Sequence, residues 1–451
     1  MGLFSTTGIR GVANETFTPD FALDLARTYG TMLKQGSTVL VGNDPRTSSE
    51  MVKSAVISGL LETGCNVVDT GLVPIPVLNF AVRGNYDAGI MITSSHNPPE
   101  YNGLKFILPN GNEISEKDEN KFEKLYKSRK FRKVDWKQVG KYREHSVISD
   151  YLKIVLSDLK AKKLDLKIVL DIGNGAQGVI APRLFDSLNC NTILLHKTLD
   201  GFFERSPEPR PEYLGKLRET VLSENADFGI AFDTDGDRAI FVTDTGEILM
   251  GDVTGSLLAG KLLSENKNGL VVTTIATSSL IDHVVEKHRG KIIKTKVGGK
   301  IVGDLLLKKK ALFGFEENGG CMFPEISPSR DGALTAVKVA ELVALSGKRL
   351  SALISELPKF YQSKARVEVP DNFKSKLMDY IRTQKNPEVS RIDATDGLKL
   401  FFRDDAWVLI RPSGTEPIFR IFSESKSSQR TKELEEWGVK KVREALQKTS
   451  R

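Results

Sequence analysis

Short β-branched runs alternate with stretches of helical period over most of the chain. Residues 38–41 read as a strand and 42–46 as a loop, and from 48 onward Met51, Val52, Ala55, Val56 and Leu60 fall on one helical face. A further strand at 90–93 runs into a polar loop. The pattern restarts at 167–172, a buried strand followed by the turn Gly173-Asn174-Gly175, a helix at 177–188 and a strand at 228–232. It restarts again with strands at 269–275, 291–295 and 311–315. Such alternation predicts βαβ units with parallel or mixed sheets, so the fold class is α/β. Restarts of about a hundred residues predict three similar α/β domains in tandem. The tail differs: strands at 366–369, 397–402, 407–410 and 418–423 precede a helix carrying Leu434, Trp437, Val442 and Leu446, which is an α+β pattern. The expected domains are 1–145, 146–250, 251–361 and 362–451.

Length agrees, since 451 residues exceed the roughly 250–300 at which one core stops growing. With 40% hydrophobic and 27% charged residues, the composition is that of a globular protein and excludes disordered and collagenous classes. A net charge of +7 invites a nucleic-acid reading. The excess lies within 121–145, where ten lysines and arginines face only Glu123, Asp135 and Glu144. Apolar Leu125, Phe131 and Val134 interrupt that stretch, so it reads as a solvated helix and linker, and no nucleic-acid partner is expected. Cys65, Cys190 and Cys321 lie far apart and read as reduced thiols. No apolar run is long enough for a membrane span, and the start lacks a signal-peptide pattern. Met1, Gly2 and Thr6 match a loose myristoylation pattern, but no polybasic patch follows. A cytoplasmic location without a membrane partner is expected.

Asp233, Asp235 and Asp237 follow an apolar strand within Asp233-Thr234-Asp235-Gly236-Asp237-Arg238. Three carboxylates two residues apart repel one another unless a cation sits among them, which points to a hard divalent ion such as Mg²⁺. An EF-hand loop would need glycine where Arg238 stands and glutamate where Asp244 stands. Ser94-Ser95-His96-Asn97-Pro98 follows another strand, with Lys105 close behind, and presents a hydroxyl as a possible nucleophile or a capped turn. Arg411-Pro412-Ser413-Gly414-Thr415-Glu416-Pro417 lies between two tail strands. Its guanidinium, hydroxyls and glycine N–H groups suit a phosphate, though hairpin turns share this composition. Glu316-Glu317-Asn318-Gly319-Gly320 offers groups for sugar hydroxyls in a bend of a common acidic type.

Taken in order, Ser95-His96-Asn97-Pro98, the Asp233–Arg238 loop, Glu316-Glu317-Asn318-Gly319 and Arg411–Pro417 resemble the α-D-phosphohexomutase family over almost the whole chain. Thr7-Gly8-Ile9-Arg10-Gly11, Val41-Gly42-Asn43-Asp44-Pro45-Arg46, Pro207-Glu208-Pro209 and Arg330-Asp331-Gly332 add to the match. The resemblance implies four domains around a central active-site cleft, each giving one loop. It implies that Ser95 carries a phosphoryl group exchanged with a hexose phosphate through a sugar bisphosphate intermediate. Asp233, Asp235 and Asp237 would hold Mg²⁺, which also binds the Ser95 phosphate. Glu316 and Asn318 would grip the sugar, and Arg238 would lie in the substrate site. Arg411, Ser413, Gly414 and Thr415 would hold the phosphate not being transferred. Arg10, His96 and Lys105 match positions beside the phosphoserine, with Lys105 the favoured proton handler. Gly320 replaces a histidine of many bacterial members, and the Glu-Glu-Asn-Gly-Gly form is similar to archaeal-type members. The expected activity is phosphomannomutase/phosphoglucomutase by a monomer or homodimer. Phosphoglucosamine mutase is the near alternative; a Mg²⁺-dependent sugar phosphatase or a polynucleotide binder would be different in kind.

Overall fold

The computed structural model describes residues 2–4, 8–383, 388–414 and 416–449. Three sheets share one plan. In the second, strands run in the order Asn191–Leu195, Lys167–Asp171, Phe228–Phe232, Ala239–Thr243, Ile248–Leu249. The first three are parallel and the last two antiparallel. The third sheet repeats it with Lys291–Thr295, Leu270–Thr274, Phe313–Phe315, Cys321–Phe323 and Ser327–Arg330. The first has the same five-strand arrangement in Asn66–Leu72, Thr38–Asn43, Ala88–Ile92, Tyr101–Ile107 and Ile9–Val12, its last member drawn from the chain start. Helices cover parallel strands on both faces, which is why Ala88–Ile92 and Phe228–Phe232 are apolar and buried at every position. The fourth sheet is wholly antiparallel, in the order Tyr361–Glu368, Ile418–Ser425, Trp407–Pro412, Leu398–Phe402, Val389–Asp393, with the helix Ser428–Thr449 across one face.

One apolar core runs unbroken from Leu40 and Val77 through Tyr151, Leu170 and Phe232 to Phe313 and Val337, so the first three sheets are fused by burial. The fourth sheet has its own core around Val408, Ile421 and Val442. A small cluster of Ile275 and Ala276 with Trp407, Leu409 and Phe422 packs it against the third.

Two readings of the sequence need correction. The helix expected at 177–188 is a 3₁₀ turn, Ala176–Val179, followed by Ala181–Ser187. Pro182, lacking an N–H, starts the second piece rather than continuing the first. The basic stretch is more than a solvated linker. After the helix Glu116–Ser128, Arg132 donates to the carbonyls of Gly30, Leu33 and Thr63, and Tyr142–Glu144 adds a sixth, parallel strand beside Asn66–Leu72. Among the described residues no helix is long and apolar enough to cross a membrane.

Candidate active site

Three of the four chemically suggestive loops occupy one topological position. Each joins the third parallel strand of its sheet to the first antiparallel one: Ser95 after Ala88–Ile92, Asp233 after Phe228–Phe232, and Glu316 after Phe313–Phe315. The carboxyl ends of parallel strands are where open α/β sheets bind ligands.

Ser95 is buried and adopts a left-handed backbone (φ 52°), a conformation a non-glycine residue keeps only when its surroundings impose it. Arg46 is what imposes it. Its guanidinium donates to the carbonyls of Ser95 (2.7 Å), Asn97 (2.7 Å), Pro98 (2.5 Å) and Tyr101 (3.0 Å), while its Nε meets Asp44 at 3.1 Å. Asp44 also accepts from the Thr93 hydroxyl, which in turn accepts from the Ser95 N–H. Arg10 donates to Asn97 Oδ1 at 2.7 Å. Burial lowers the Arg10 pKa to about 10, although Asp235 and Glu113 oppose the shift. His96 Nδ1 lies 3.3 Å from Ser95 Oγ and 3.1 Å from Arg238 Nη2. A guanidinium only donates, so this nitrogen is the unprotonated acceptor, and the Ser95 hydroxyl can donate to it. Burial and the cations Arg238 and Arg10 push His96 well below its ordinary pKa, in keeping with a neutral ring.

Asp233, Asp235 and Asp237 are buried and each offers an oxygen within 4.8 Å of the others. The loop carrying them is clamped from three sides: Ile75 N–H donates to Asp235 O (2.9 Å), Gln177 Nε2 to Gly236 O (2.7 Å) and Gly332 N–H to Gly236 O (3.2 Å). Gly236 has φ 76°, and a side chain there would strike Gln177. Burial and the charges of Asp237 and Asp235 raise the Asp233 pKa well above the usual range. Burial acts in the same direction on Asp235, but Lys105 at 2.8 Å outweighs it and holds Asp235 low. Three carboxylate oxygens, Asp233 Oδ2, Asp235 Oδ1 and Asp237 Oδ1, are buried with no hydrogen-bond partner. Orphaned hard oxygens converging from three side chains are the donor set a divalent cation takes.

Around this cluster the cations come from different sheets. Lys105, from the first, also stands 3.8 Å from Asp237 and 3.9 Å from Glu113. Burial would lower its pKa, but Asp235, Glu113 and Asp237 together raise it, so Lys105 is charged. Arg238 reaches Glu208 at 3.2 Å and Asp233 at 3.5 Å. Arg330, from the third, bridges Asp237 (2.6 Å) and Glu316 (2.9 Å). That bridge fits Gly320: a Cβ there would lie 2.2 Å from Arg330 Cδ, so a larger residue at 320 would require the Arg330 side chain to move out of its present place.

A cavity of about 430 Å³ lies beside the cluster, lined among others by Glu208, Arg238, Glu317, Asn318, Lys364, Arg366 and Arg420. Asn318 and Arg238 thus line the cavity. Glu316 does not line it; its carboxylate is engaged by Arg330 and by the Gly298 N–H at 3.1 Å. Glu317 does, with Oε2 buried and without a hydrogen-bond partner. Arg411 Nε donates to Asp396 at 2.6 Å, and Ser413 Oγ accepts from the Glu416 N–H. Lys374 ties the carbonyls of Ser413 and Glu416 together. Arg411, Ser413 and Gly414 are not among the residues lining the cavity, and Thr415 lies outside the described residues. Arg46, Arg330 and Glu208 sat inside motifs quoted for the resemblance, yet only their contacts reveal what they do. Glu113 and Asp396 lie in no motif at all.

Comparison with known proteins covers nearly all of the chain. Residues 1–133, 148–246 and 250–361 match families described as phosphoglucomutase/phosphomannomutase, alpha/beta/alpha domains I, II and III, and 365–437 match the corresponding C-terminal domain. A phosphoglucomutase/phosphomannomutase from Thermococcus kodakarensis is 44% identical over 98% of this chain and 99% of its own. A probable phosphoglucosamine mutase from Pyrococcus abyssi is 37% identical over 99% of each chain. The crystal structure of a phosphoglucomutase/phosphomannomutase family protein from Burkholderia thailandensis superposes with a TM-score of 0.89 at 29% identity, covering 99% of this chain and 97% of that one.

Proposed function

The chain belongs to the phosphoglucomutase/phosphomannomutase family, and on that premise we propose that it is an intramolecular phosphotransferase interconverting the 1- and 6-phosphates of a hexose. The observation that carries this reading is the meeting of a buried serine loop with an acidic cluster through shared arginine, histidine and lysine contacts. We take the domains to divide at 145, 250 and 361.

In this reading Ser95 carries the exchanged phosphoryl group. A hydroxyl of the hexose phosphate attacks phosphorus, the bond to Ser95 Oγ breaks, and a sugar bisphosphate results. Return of its other phosphate to Ser95 completes the exchange. The attacking hydroxyl loses a proton and Ser95 Oγ gains one. Lys105, held charged, can give the second and take the first, so the exchange is proton-neutral; His96 Nδ1 orients the Ser95 hydroxyl. Asp233, Asp235 and Asp237 would hold Mg²⁺ together with the Ser95 phosphate, and the ion supplies charge stabilisation of the phosphoryl group. Arg46 holds the serine loop, Arg10 and Arg238 offset phosphate charge, Asn318 and Glu317 take sugar hydroxyls, and Glu316, engaged by Arg330 and the Gly298 N–H, steadies the loop that carries them. Arg411, Ser413, Gly414 and Thr415 form the seat of the phosphate that stays.

Full-length relatives named as probable phosphoglucosamine mutases, 37 to 39% identical, favour a second reading in which the sugar is glucosamine. The unpartnered Glu317 oxygen in the cavity would suit its ammonium group. Coupled assays on glucose, mannose and glucosamine 1-phosphates decide between them. The leading reading expects turnover of the first two; a hundredfold preference for the amino sugar would reverse the order. Free phosphate released in step with substrate loss would instead mark a phosphatase.

A further inference from the structure

Apart from the acidic cluster, the second domain buries another set of charged groups, at the end of the strand Lys167–Asp171. The Asp171 carboxylate accepts from Arg205 Nε (2.8 Å) and the Gly173 N–H (3.0 Å), and pairs with His196 Nδ1 at 2.8 Å. Burial opposes its charge, but His196 and Arg205 outweigh burial and hold Asp171 below the usual carboxylate range. The rest of the Arg205 guanidinium goes to backbone. Nη2 donates to Phe232 O at 2.6 Å and Nη1 to Ser206 O at 2.9 Å. Phe232 directly precedes Asp233. The turn Gly173-Asn174-Gly175 is fitted to these contacts. A Cβ on Gly173 would lie 2.4 Å from Arg205 Nη2, and one on Gly175 would lie 2.9 Å from Thr234 Cα and 3.0 Å from Asp233 O.

The first domain has the same device. Thr38–Asn43 and Lys167–Asp171 hold the same place in their sheets, each beside the strand that carries a site loop. Asp44 holds Arg46, which donates to the serine loop, and Asp171 holds Arg205, which donates to the root of the acidic loop. Arg46 lies 2 residues after its aspartate and Arg205 lies 34 after, so no shared motif marks the pair. In the third domain Thr273 acts without an arginine, its hydroxyl donating at 2.8 Å to the carbonyl of Phe315, the residue before Glu316.

We infer that Arg205, held by Asp171, is a positioning residue for the cation site: it fixes the Phe232 carbonyl and with it the placement of Asp233. Ile75, Gln177 and Gly332 act on the loop at Asp235 and Gly236, whereas Arg205 acts at the other end. Three carboxylates that repel one another separate on a loose loop, so converging oxygens need both ends fixed. The consequence for a metal rests on the mutase reading; the brace rests on its contacts alone.

The test compares full-length wild type, Arg205→Lys and His196→Gln. Lysine keeps a cation for Asp171 but lacks the fork that also serves Phe232 and Ser206. His196→Gln removes the other charged partner of Asp171 without touching the acidic loop, so it controls for general loosening. Mn²⁺ is titrated into each protein, and free ion is read by paramagnetic resonance. Arg205→Lys should bind Mn²⁺ about tenfold more weakly, the lower end of what outer groups that orient ligands contribute. His196→Gln should stay within twofold of wild type even if its melting temperature falls as far. Without metal, the amides of residues 233–238 should exchange hydrogen faster in Arg205→Lys only. Mn²⁺ affinity within twofold of wild type in Arg205→Lys, or equal losses in both variants, would overturn the inference. Wild-type protein that binds no Mn²⁺ would defeat the metal reading, and the metal-free exchange rates would then decide the brace: faster in Arg205→Lys upholds it, unchanged overturns it.

Discussion

Lys105 Nζ, from the first sheet, lies 2.8 Å from Asp235 Oδ2, from the second, and both side chains are buried. The contact makes two domains into one electrostatic unit. Each partner offsets much of the cost of burying the other's charge.

Removing one partner should therefore cost more than removing both. Without added metal, Lys105→Met should lose about 3–5 kcal/mol of stability to denaturant, because Asp235 keeps a buried charge. Lys105→Met with Asp235→Asn should recover much of that loss while mutase turnover stays abolished. Equal stability of Lys105→Met and wild type would refute the coupling.

Metal dependence follows from the orphaned carboxylate oxygens. A chelator should abolish turnover and Mg²⁺ restore it, and Asp237→Asn should raise the Mg²⁺ needed for half-maximal activity by at least about tenfold. Since Asp233 holds its proton well above the usual range, proton and metal compete, and the Mg²⁺ requirement should rise as the pH is lowered below neutrality. Full activity in a chelator contradicts this assignment.

Arg46 holds four carbonyls of the serine loop. Arg46→Ala leaves Asp44 buried and uncompensated, so a loss of about 3–5 kcal/mol is expected, with faster hydrogen exchange over residues 94–101. Arg46→Lys should rescue little, because an ammonium with three donors cannot serve Asp44 and four carbonyls. Unchanged exchange rates in the loop would show that something else shapes it.

Lys399 gives a pH signature to the packing of the fourth domain on the third. Its Nζ donates to Ile275 O at 2.8 Å and sits 3.5 Å from the centre of the Trp407 ring. Burial, aided by Lys294, lowers its pKa from 10.5 to about 7. A base whose folded value is depressed penalises folding fully below the folded pKa, and the penalty fades as the pH rises toward the unfolded value. Wild-type stability should therefore climb relative to Lys399→Met between pH 7 and 10.5. Parallel curves would contradict a buried, deprotonating lysine.

The parts of the site that sequence reveals are those that follow directly from a strand end. Ser95, Asp233 and Glu316 each stand within three residues of a fully buried apolar strand, so strand and loop are read together. Arg46 reaches carbonyls 49 to 55 residues away and Arg330 reaches Asp237 93 residues away, and nothing local distinguishes a structural arginine from a surface one. The helix Lys374–Thr383 and the edge strand Val389–Asp393 were missed for a related reason. Only one side of the helix is buried, and the strand is largely exposed, so neither carries a strong apolar pattern. The repeat of three sheets is plain in topology and faint in residues, because burial constrains the apolar character of each strand and leaves its identity free.

Phosphate on one serine is the centre of the account. The protein should be incubated with glucose 1,6-bisphosphate and its peptides analysed by mass spectrometry, then incubated again with glucose 6-phosphate. A single phosphate on the peptide containing Ser95, removed in the second step and missing together with turnover in Ser95→Ala, is the predicted result. Normal turnover in Ser95→Ala, or phosphate carried on a different residue, would contradict it.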